Sequence, residues 1–108
     1  MMKSKKVRVT IDRPLGSKHP DYDMIYPVNY GFVAGVIAGD GEEQDAYILG
    51  VDEPADEFEG VVIAVVHRPD DNEDKWVVAP EGVSFSAEYI REKLNFQEQY
   101  FRSEIIIL

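Results

Sequence analysis

Alternating apolar and polar residues, the pattern of a half-buried β-strand, recur through the first four-fifths of this chain. The alternation is clearest over residues 7–11, and four further runs are rich in β-branched and aromatic residues. These runs cover residues 30–37, 46–51, 61–66 and 76–79, and each is bounded by Gly, Pro or Asp. Five short strands in succession predict a small, mainly β domain, either an antiparallel barrel or a sandwich.

The hydrophobic period changes near the end of the chain, where one helix is expected over about residues 87–101. Ser86 is a suitable N-cap, and Glu88 places a negative charge in the first turn, where the helix dipole favours it. The face expected to pack against the barrel carries Ile90, Leu94, Gln97 and Phe101. Residues 105–108 are all apolar, which predicts either a final strand or a subunit contact.

The charge balance excludes several classes of protein. Of 108 residues, 11 are Lys or Arg and 21 are Asp or Glu, so the net charge is −10. Nucleic acids and anionic membranes both require a cationic face, so neither is an expected partner. The longest apolar runs are much shorter than the ~18 residues of a membrane span. The lack of cysteine excludes disulfides and fits a cytoplasmic location, and the length predicts a single domain, residues 1–108.

Acidic residues concentrate in two turns. In the first, Asp40-Gly41-Glu42-Glu43-Gln44-Asp45, three carboxylates can converge because glycine lets the chain reverse tightly. Converging carboxylates suit hard ions such as Mg2+, Mn2+ or Ca2+, and a solvated acidic turn is the alternative. The second turn, residues 70–74, resembles a calcium loop, but Lys75 stands where that loop needs glycine. It predicts a hairpin whose acidic tip could meet the first turn and share metals with it.

A segment upstream of the first acidic turn, Tyr26-Pro27-Val28-Asn29-Tyr30-Gly31, makes the pattern more specific. Asp40 follows Tyr30 by ten residues. At this spacing the two motifs resemble the Tyr-Pro-x-Asn-Tyr-Gly segment and the Asp-Gly-Asp-Pro-x-Asp motif of family I soluble inorganic pyrophosphatases. Residues 70–75 resemble that family's later acidic loop and lysine, and residues 96–100 resemble its aromatic segment ending in a phosphate-binding tyrosine. The resemblance covers residues 7–102.

This resemblance implies a five-stranded OB-like barrel with one packed helix, and hydrolysis of pyrophosphate to two phosphates with Mg2+, or Mn2+ in its place. Asp45 would bridge the metals, and Glu42 would orient or deprotonate the attacking water. The implied catalytic residues are Glu42, Asp45 and Asp40. The implied metal ligands are Asp40, Asp45, Asp70 and either Glu73 or Asp74, because the shortened loop leaves that choice open. The implied ligands of pyrophosphate and phosphate are Tyr30, Tyr100, Lys75, Lys18, Arg13 and Arg102.

Several positions depart from the family pattern, mainly on the cationic side of the site. Glu42 stands where the family has Asp, so its carboxylate lies one methylene farther from the backbone. This shift moves the carboxylate from the position that the family's base occupies. Phe101 stands where the family has a phosphate-binding lysine, and Arg102, one place later, could compensate. Asp21-Tyr22-Asp23 fills the region where the family has an arginine, so this chain has no equivalent of that residue. These departures motivate a second hypothesis, a non-catalytic module that binds metal or phosphate as a sensor or partner protein.

The remaining candidates have structural interpretations. His67 follows an apolar strand without a partner motif, so a structural position at the solvent edge is expected. Trp76 is expected in the core, and the acidic run of residues 52–59 is expected to be a solvated loop. Because the C-terminus is apolar and relatives are oligomeric, a symmetric homo-oligomer is expected.

Overall fold

The computed structural model describes residues 6–21, 23–39, 41–69 and 73–108, with the backbone alone at Glu73. All five predicted strand segments lie in or overlap observed strands, which are generally longer than predicted. The elements are β1 (Lys6–Arg13), β2 (Asn29–Ile37), β3 (Glu43–Ile48), β4 (Glu57–Arg68), β5 (Glu73–Ala79), α1 (Ala87–Glu98) and β6 (Glu104–Ile107).

The strands close into a barrel. The order of neighbours is β1-β2-β3-β5-β4, and the N-terminal part of β4 pairs with β1 to complete the ring. β6 extends the sheet from the C-terminal part of β4, so residues 105–107 form the predicted final strand. The pairs of the predicted barrel are antiparallel, apart from β3 and β5, which run parallel. β4 crosses over to pair with β1, and the returning β5 therefore lies beside β3 in the same direction.

The barrel strands bury both faces where the helix covers them. Val9, Ile48 and Val78 belong to an interior cluster with residues from all five barrel strands. Tyr47 and Val77, their neighbours in sequence, belong to a second cluster under α1. Successive side chains of a strand point to opposite faces, so β3 and β5 each contribute to both layers. The candidate site lies on the second of these faces.

The helix begins as predicted and ends earlier. The Ser86 hydroxyl accepts a hydrogen bond from the Tyr89 backbone N–H at 3.1 Å, as an N-cap does. The helix ends at Glu98, so Phe101 lies beyond it and is exposed rather than on its packed face. Glu98 is buried one turn after Leu94. A carboxylate on the apolar face was not expected from hydrophobic periodicity, and its partners are described below.

The acidic run of residues 52–59 is only partly a loop. β4 begins at Glu57, and Glu59 pairs across to β1, where its carboxylate lies 3.8 Å from an Arg8 guanidinium nitrogen. Alternation along the strand places Glu57 and Glu59 on the exposed face, whereas Phe58 and Gly60 are on the opposite, more buried face. Trp76 is half-buried against the interior cluster, as expected. In the described part of the chain, no helix is long and apolar enough to cross a membrane.

Candidate active site

Three side chains from neighbouring strands meet on the helix-covered face of the barrel. The register pairs Tyr30 of β2 with Tyr47 of β3, and parallel pairing of Ala46 with Trp76 sets Asp45 beside Lys75. The Lys75 Nζ lies 2.5 Å from the Asp45 Oδ2 and donates a 2.8 Å hydrogen bond to the Tyr30 hydroxyl. We call Tyr30, Asp45 and Lys75 the lysine cluster.

The rest of the Tyr-Pro-x-Asn-Tyr-Gly segment supports this arrangement. The buried Asn29 amide accepts hydrogen bonds from the backbone N–H groups of Leu15 and Ala55 and donates one to the Glu53 carbonyl, so it joins two loops. A Cβ at Gly31 would lie 1.9 Å from the Thr10 carbonyl oxygen, so only glycine allows β1 to approach this closely. These two residues hold the backbone on which Tyr30 is placed.

The charges of the lysine cluster are buried unequally. The Lys75 side chain is 5% exposed, whereas the Asp45 side chain is 33% exposed. Burying an ammonium ion is costly unless it is paired and hydrogen-bonded, and the carboxylate and phenol meet that need. The cluster therefore presents a fixed cation beside a carboxylate that solvent or a ligand can reach.

Burial determines the protonation state of Tyr30. Removal from water raises the pKa of its hydroxyl well above the usual 10.0, and the nearby Lys75 charge only partly opposes this shift. Tyr30 therefore remains a neutral phenol at ordinary pH. Its oxygen accepts from Lys75, and its own proton can be donated to an anionic oxygen.

The other predicted ligands of pyrophosphate, which are Arg13, Lys18, Tyr100 and Arg102, lie in different places. Arg13 lies opposite Tyr30 across the β1–β2 pair, next to a register irregularity. Its charge lowers the pKa of Tyr26, although burial raises that pKa more. Lys18 forms an exposed ion pair with Asp23 at 3.6 Å. Tyr100, which is 73% exposed, and Arg102 lie on the segment after α1.

The predicted metal ligands are brought together only in part. Asp40 and Asp70 lie outside the described residues, as does the side chain of Glu73, whose backbone pairs with Arg68. The Asp74 carboxylate lies 2.5 Å from the His67 Nδ1, on the face opposite to Lys75. Glu42 is exposed in the turn after Gly41, which adopts the positive φ of 86° expected for this reversal. Among side chains that the structure describes, no three Asp, Glu or His form a metal-binding group.

A second buried ion pair was missed by the sequence analysis. The Arg68 guanidinium donates from Nε to the Glu98 Oε1 at 3.0 Å and from Nη2 to the other carboxylate oxygen. The Tyr47 hydroxyl also donates to the Glu98 Oε2 at 2.7 Å and accepts from the Gln97 amide at 2.7 Å. One sequence signal could have predicted this pair: Glu98 lies four residues after Leu94, on the apolar face of the helix. A carboxylate on that face is buried and therefore requires a cationic partner. We call Arg68, Glu98, Tyr47 and Gln97 the arginine network.

Comparison with solved structures identifies the fold class: this is the fold of bacterial inorganic pyrophosphatases. The structure is similar to inorganic pyrophosphatases from Ehrlichia chaffeensis (TM-score 0.72, 20% identity, covering 93% of this chain and 83% of that one) and Neisseria gonorrhoeae (0.67, 23%, 88% and 73%). It is also similar to the Helicobacter pylori enzyme (0.68, 16%, 99% and 86%). No protein-family model matches the sequence, and no curated protein matches it. The predicted OB-like barrel and pyrophosphatase-like fold are confirmed, and identities this low establish the fold alone.

Proposed function

We propose that this chain hydrolyses a phosphoanhydride bond, with inorganic pyrophosphate as the substrate and two phosphates as the products. One observation carries the proposal. Tyr30, Asp45 and Lys75 come from three separate motif segments of the sequence. The Lys75 Nζ lies 2.8 Å from the Tyr30 hydroxyl and 2.5 Å from the Asp45 carboxylate.

The chemistry of the lysine cluster suits a phosphoanhydride. Lys75 is a preformed cation for a phosphate oxygen, and the neutral Tyr30 hydroxyl is a donor to a second oxygen. Neither group has to reorganise when charge moves onto the leaving phosphate, because β2 and β5 already hold them. Arg13, opposite Tyr30 in the strand register, adds positive charge next to Tyr26.

The donor set that the sequence assigns to metal is compatible with Mg2+ or Mn2+. The last ligand is either Glu73 or Asp74, and the Asp74 carboxylate faces His67. The remaining set, Asp40, Asp45, Asp70 and Glu73, consists of oxygen ligands, which hard divalent cations prefer. Asp45, the one of these whose side chain is described, is accessible beside Lys75. A divalent ion there would neutralise substrate charge and supply water of lowered pKa. Glu42 is the proposed acceptor of the proton from the attacking water.

The test is release of phosphate from pyrophosphate in the presence of Mg2+. The matched variant is Asp45→Asn, which keeps the shape and a hydrogen-bond acceptor for Lys75 but removes the charge. We expect the variant to be slower by about 100-fold or more. Equal rates for the two proteins would contradict hydrolysis of this substrate.

A second candidate is a non-catalytic module that binds metal or phosphate as a sensor or partner protein. Two observations favour this candidate. The Lys75 ammonium is already paired with one carboxylate oxygen of Asp45, which a metal would need, and Tyr100, a predicted phosphate ligand, is largely exposed. Calorimetry that detects Mg2+ or phosphate binding without turnover would support this candidate. Turnover that depends on Asp45 would exclude it.

We also propose that the chain forms a symmetric homo-oligomer. Ile106, Ile107 and Leu108 at the end of β6 are 46%, 50% and 45% exposed, an apolar strip that association would cover. Light scattering should give at least twice the chain mass of 12.3 kDa. A monomer mass over a wide concentration range would contradict association. The cytoplasmic location stays a prediction.

A further inference from the structure

A cavity of about 530 Å3 lies beside the lysine cluster and outside it. Its walls come from the β1–β2 connection, the end of β4, and the residues around the end of α1. Four of the lining side chains are planar: His19, Arg68, Tyr100 and Phe101. The volume is within the range of pockets that bind small organic ligands, about 300–1,000 Å3.

The cavity wall is aromatic rather than cationic. The Arg68 guanidinium lies 3.8 Å from the centroid of the Phe101 ring, and Glu98 neutralises its charge from the other side. Asp23, which also lines the cavity, carries a carboxylate that is paired with the exposed Lys18 at 3.6 Å. A phosphate group would therefore gain little here, whereas a flat, uncharged ring could stack on exposed aromatic faces, and Asp23 could accept from an amino substituent.

The cavity adjoins the proposed phosphate site through one buried ring. Tyr26 lies between His19, at a centroid distance of 6.0 Å, and Tyr30, at 5.7 Å, and both pairs are stacked. The Tyr26 hydroxyl also faces the Gln97 amide at 3.5 Å, and Gln97 lines the cavity. Tyr26 is 2% exposed, so one buried ring separates the cavity wall at His19 from the lysine cluster at Tyr30, and the ribose and phosphates of a nucleotide are longer than that separation.

From these contacts we infer that the preferred substrate is a nucleoside diphosphate, with its base in the cavity and its phosphates at the lysine cluster. This inference rests on the proposed function and replaces inorganic pyrophosphate with an organic phosphoanhydride. Phe101, which is 41% exposed, gives the cavity wall an uncharged ring on which a base could stack.

The reaction follows the same chemistry. Water attacks the terminal phosphorus, and the bond from that phosphorus to the bridging oxygen breaks. The bridging oxygen stays with the nucleoside monophosphate, and the water oxygen becomes part of inorganic phosphate. The water proton passes to solvent through the proposed general base, Glu42.

The hydrolytic test compares adenosine diphosphate, methyl diphosphate and inorganic pyrophosphate as substrates at equal Mg2+. We expect kcat/KM for adenosine diphosphate to exceed that for methyl diphosphate, which lacks a ring, by at least about fivefold, the effect of one stacked base. Phe101→Ala should remove this preference, and Phe101→Lys should shift it towards inorganic pyrophosphate. The matched control is Tyr89→Ala, since Tyr89 is a ring of similar exposure (38% against 41%) on the first turn of α1.

A binding test separates this inference from the proposed function. Adenosine, which has no phosphate, is titrated into the wild-type protein and into Phe101→Ala, and binding is followed by saturation-transfer NMR. Binding that Phe101→Ala abolishes and Tyr89→Ala keeps supports the placement of the base in the cavity. If none of the three substrates is hydrolysed, the substrate preference fails together with the proposed function. Hydrolysis of inorganic pyrophosphate without adenosine binding, and without a preference for adenosine diphosphate, would overturn it and leave the proposed function intact.

Discussion

Two buried ion pairs lie under the same helix-covered face of the barrel, and they differ in access to solvent. In the arginine network, Arg68 and Glu98 are 4% and 5% exposed, and Tyr47 and the second guanidinium contact complete the pairing. In the lysine cluster, Lys75 is as deeply buried, but Asp45 is 33% exposed. A sealed pair joins a helix to a sheet, whereas a pair with one open carboxylate can exchange partners with a ligand. The difference in exposure favours a structural role for the arginine network and agrees with the binding role proposed for the lysine cluster.

The largest effect is expected when the buried ion pair between Arg68 and Glu98 is broken. Glu98→Ala leaves the Arg68 guanidinium buried without its carboxylate, which should lower the free energy of unfolding by about 3–5 kcal/mol. Urea denaturation measures this loss. Arg68→Met combined with Glu98→Leu should recover most of it, because the double variant buries no charge.

The control for that experiment is Glu92→Ala, which removes an exposed carboxylate from the same helix. We expect it to change stability by less than about 0.5 kcal/mol. A loss below about 1 kcal/mol for Glu98→Ala would contradict the structural role of the arginine network.

The second-largest effect is expected when the ion pair between Lys75 and Asp45 is broken. Lys75→Met keeps the length of the side chain and removes the cation, so phosphate release should fall by about 100-fold to 1,000-fold. Stability should fall less than in Glu98→Ala, because water can solvate the exposed side of Asp45. Lys93→Met, on the exposed face of α1, is the matched control and should keep wild-type activity. If Lys75→Met lost stability and kept activity, the two ion pairs would have the same role.

The smallest effect is a pH dependence shared by both regions. Burial raises the pKa of Tyr30 and of Tyr47 above the usual 10.0. The unfolded chain loses these protons first, so their contribution to stability is complete below about pH 10 and declines as the pH rises towards the folded pKa values. The slope should be about 1.4 kcal/mol per pH unit for each tyrosine.

Urea denaturation at several pH values above 10 measures that slope. Tyr30→Phe should reduce it by the share of one tyrosine, since phenylalanine has no proton to lose. A stability that stays constant as the pH rises through this range would show that the two phenols are not buried as the structure places them.

Much of the fold could be predicted because its signals are local. Period-2 alternation identifies strands one at a time, and the Ser86 cap depends on a single backbone turn. The parallel pairing of β3 and β5 could not be predicted, because strand alternation is the same for either neighbour and either direction. The helix α1 ends earlier than predicted for a related reason. The hydrophobic periodicity continues through Phe101, but the helix ends at Glu98, which tertiary contacts bury.

The candidate site divides in the same way. The resemblance to pyrophosphatases implied roles for Tyr30, Asp45 and Lys75, and the structure places the Lys75 ammonium next to the polar atoms of the other two. The sequence did not reveal that Asp74 faces His67, that Tyr100 lies at a cavity, or that Arg68 pairs with Glu98. Each of these depends on which strand or helix end lies opposite.

By itself, the sequence determined which segments extend, where the helix begins, and which residue types could bind a phosphoanhydride, because each property depends on a few neighbouring residues. Only the tertiary structure decided which charges are buried and which carboxylate remains open. Burial and pairing are set by residues far apart in the chain, such as Asp45 and Lys75 or Arg68 and Glu98. Strand register brings the first pair together, and the packing of α1 brings together the second.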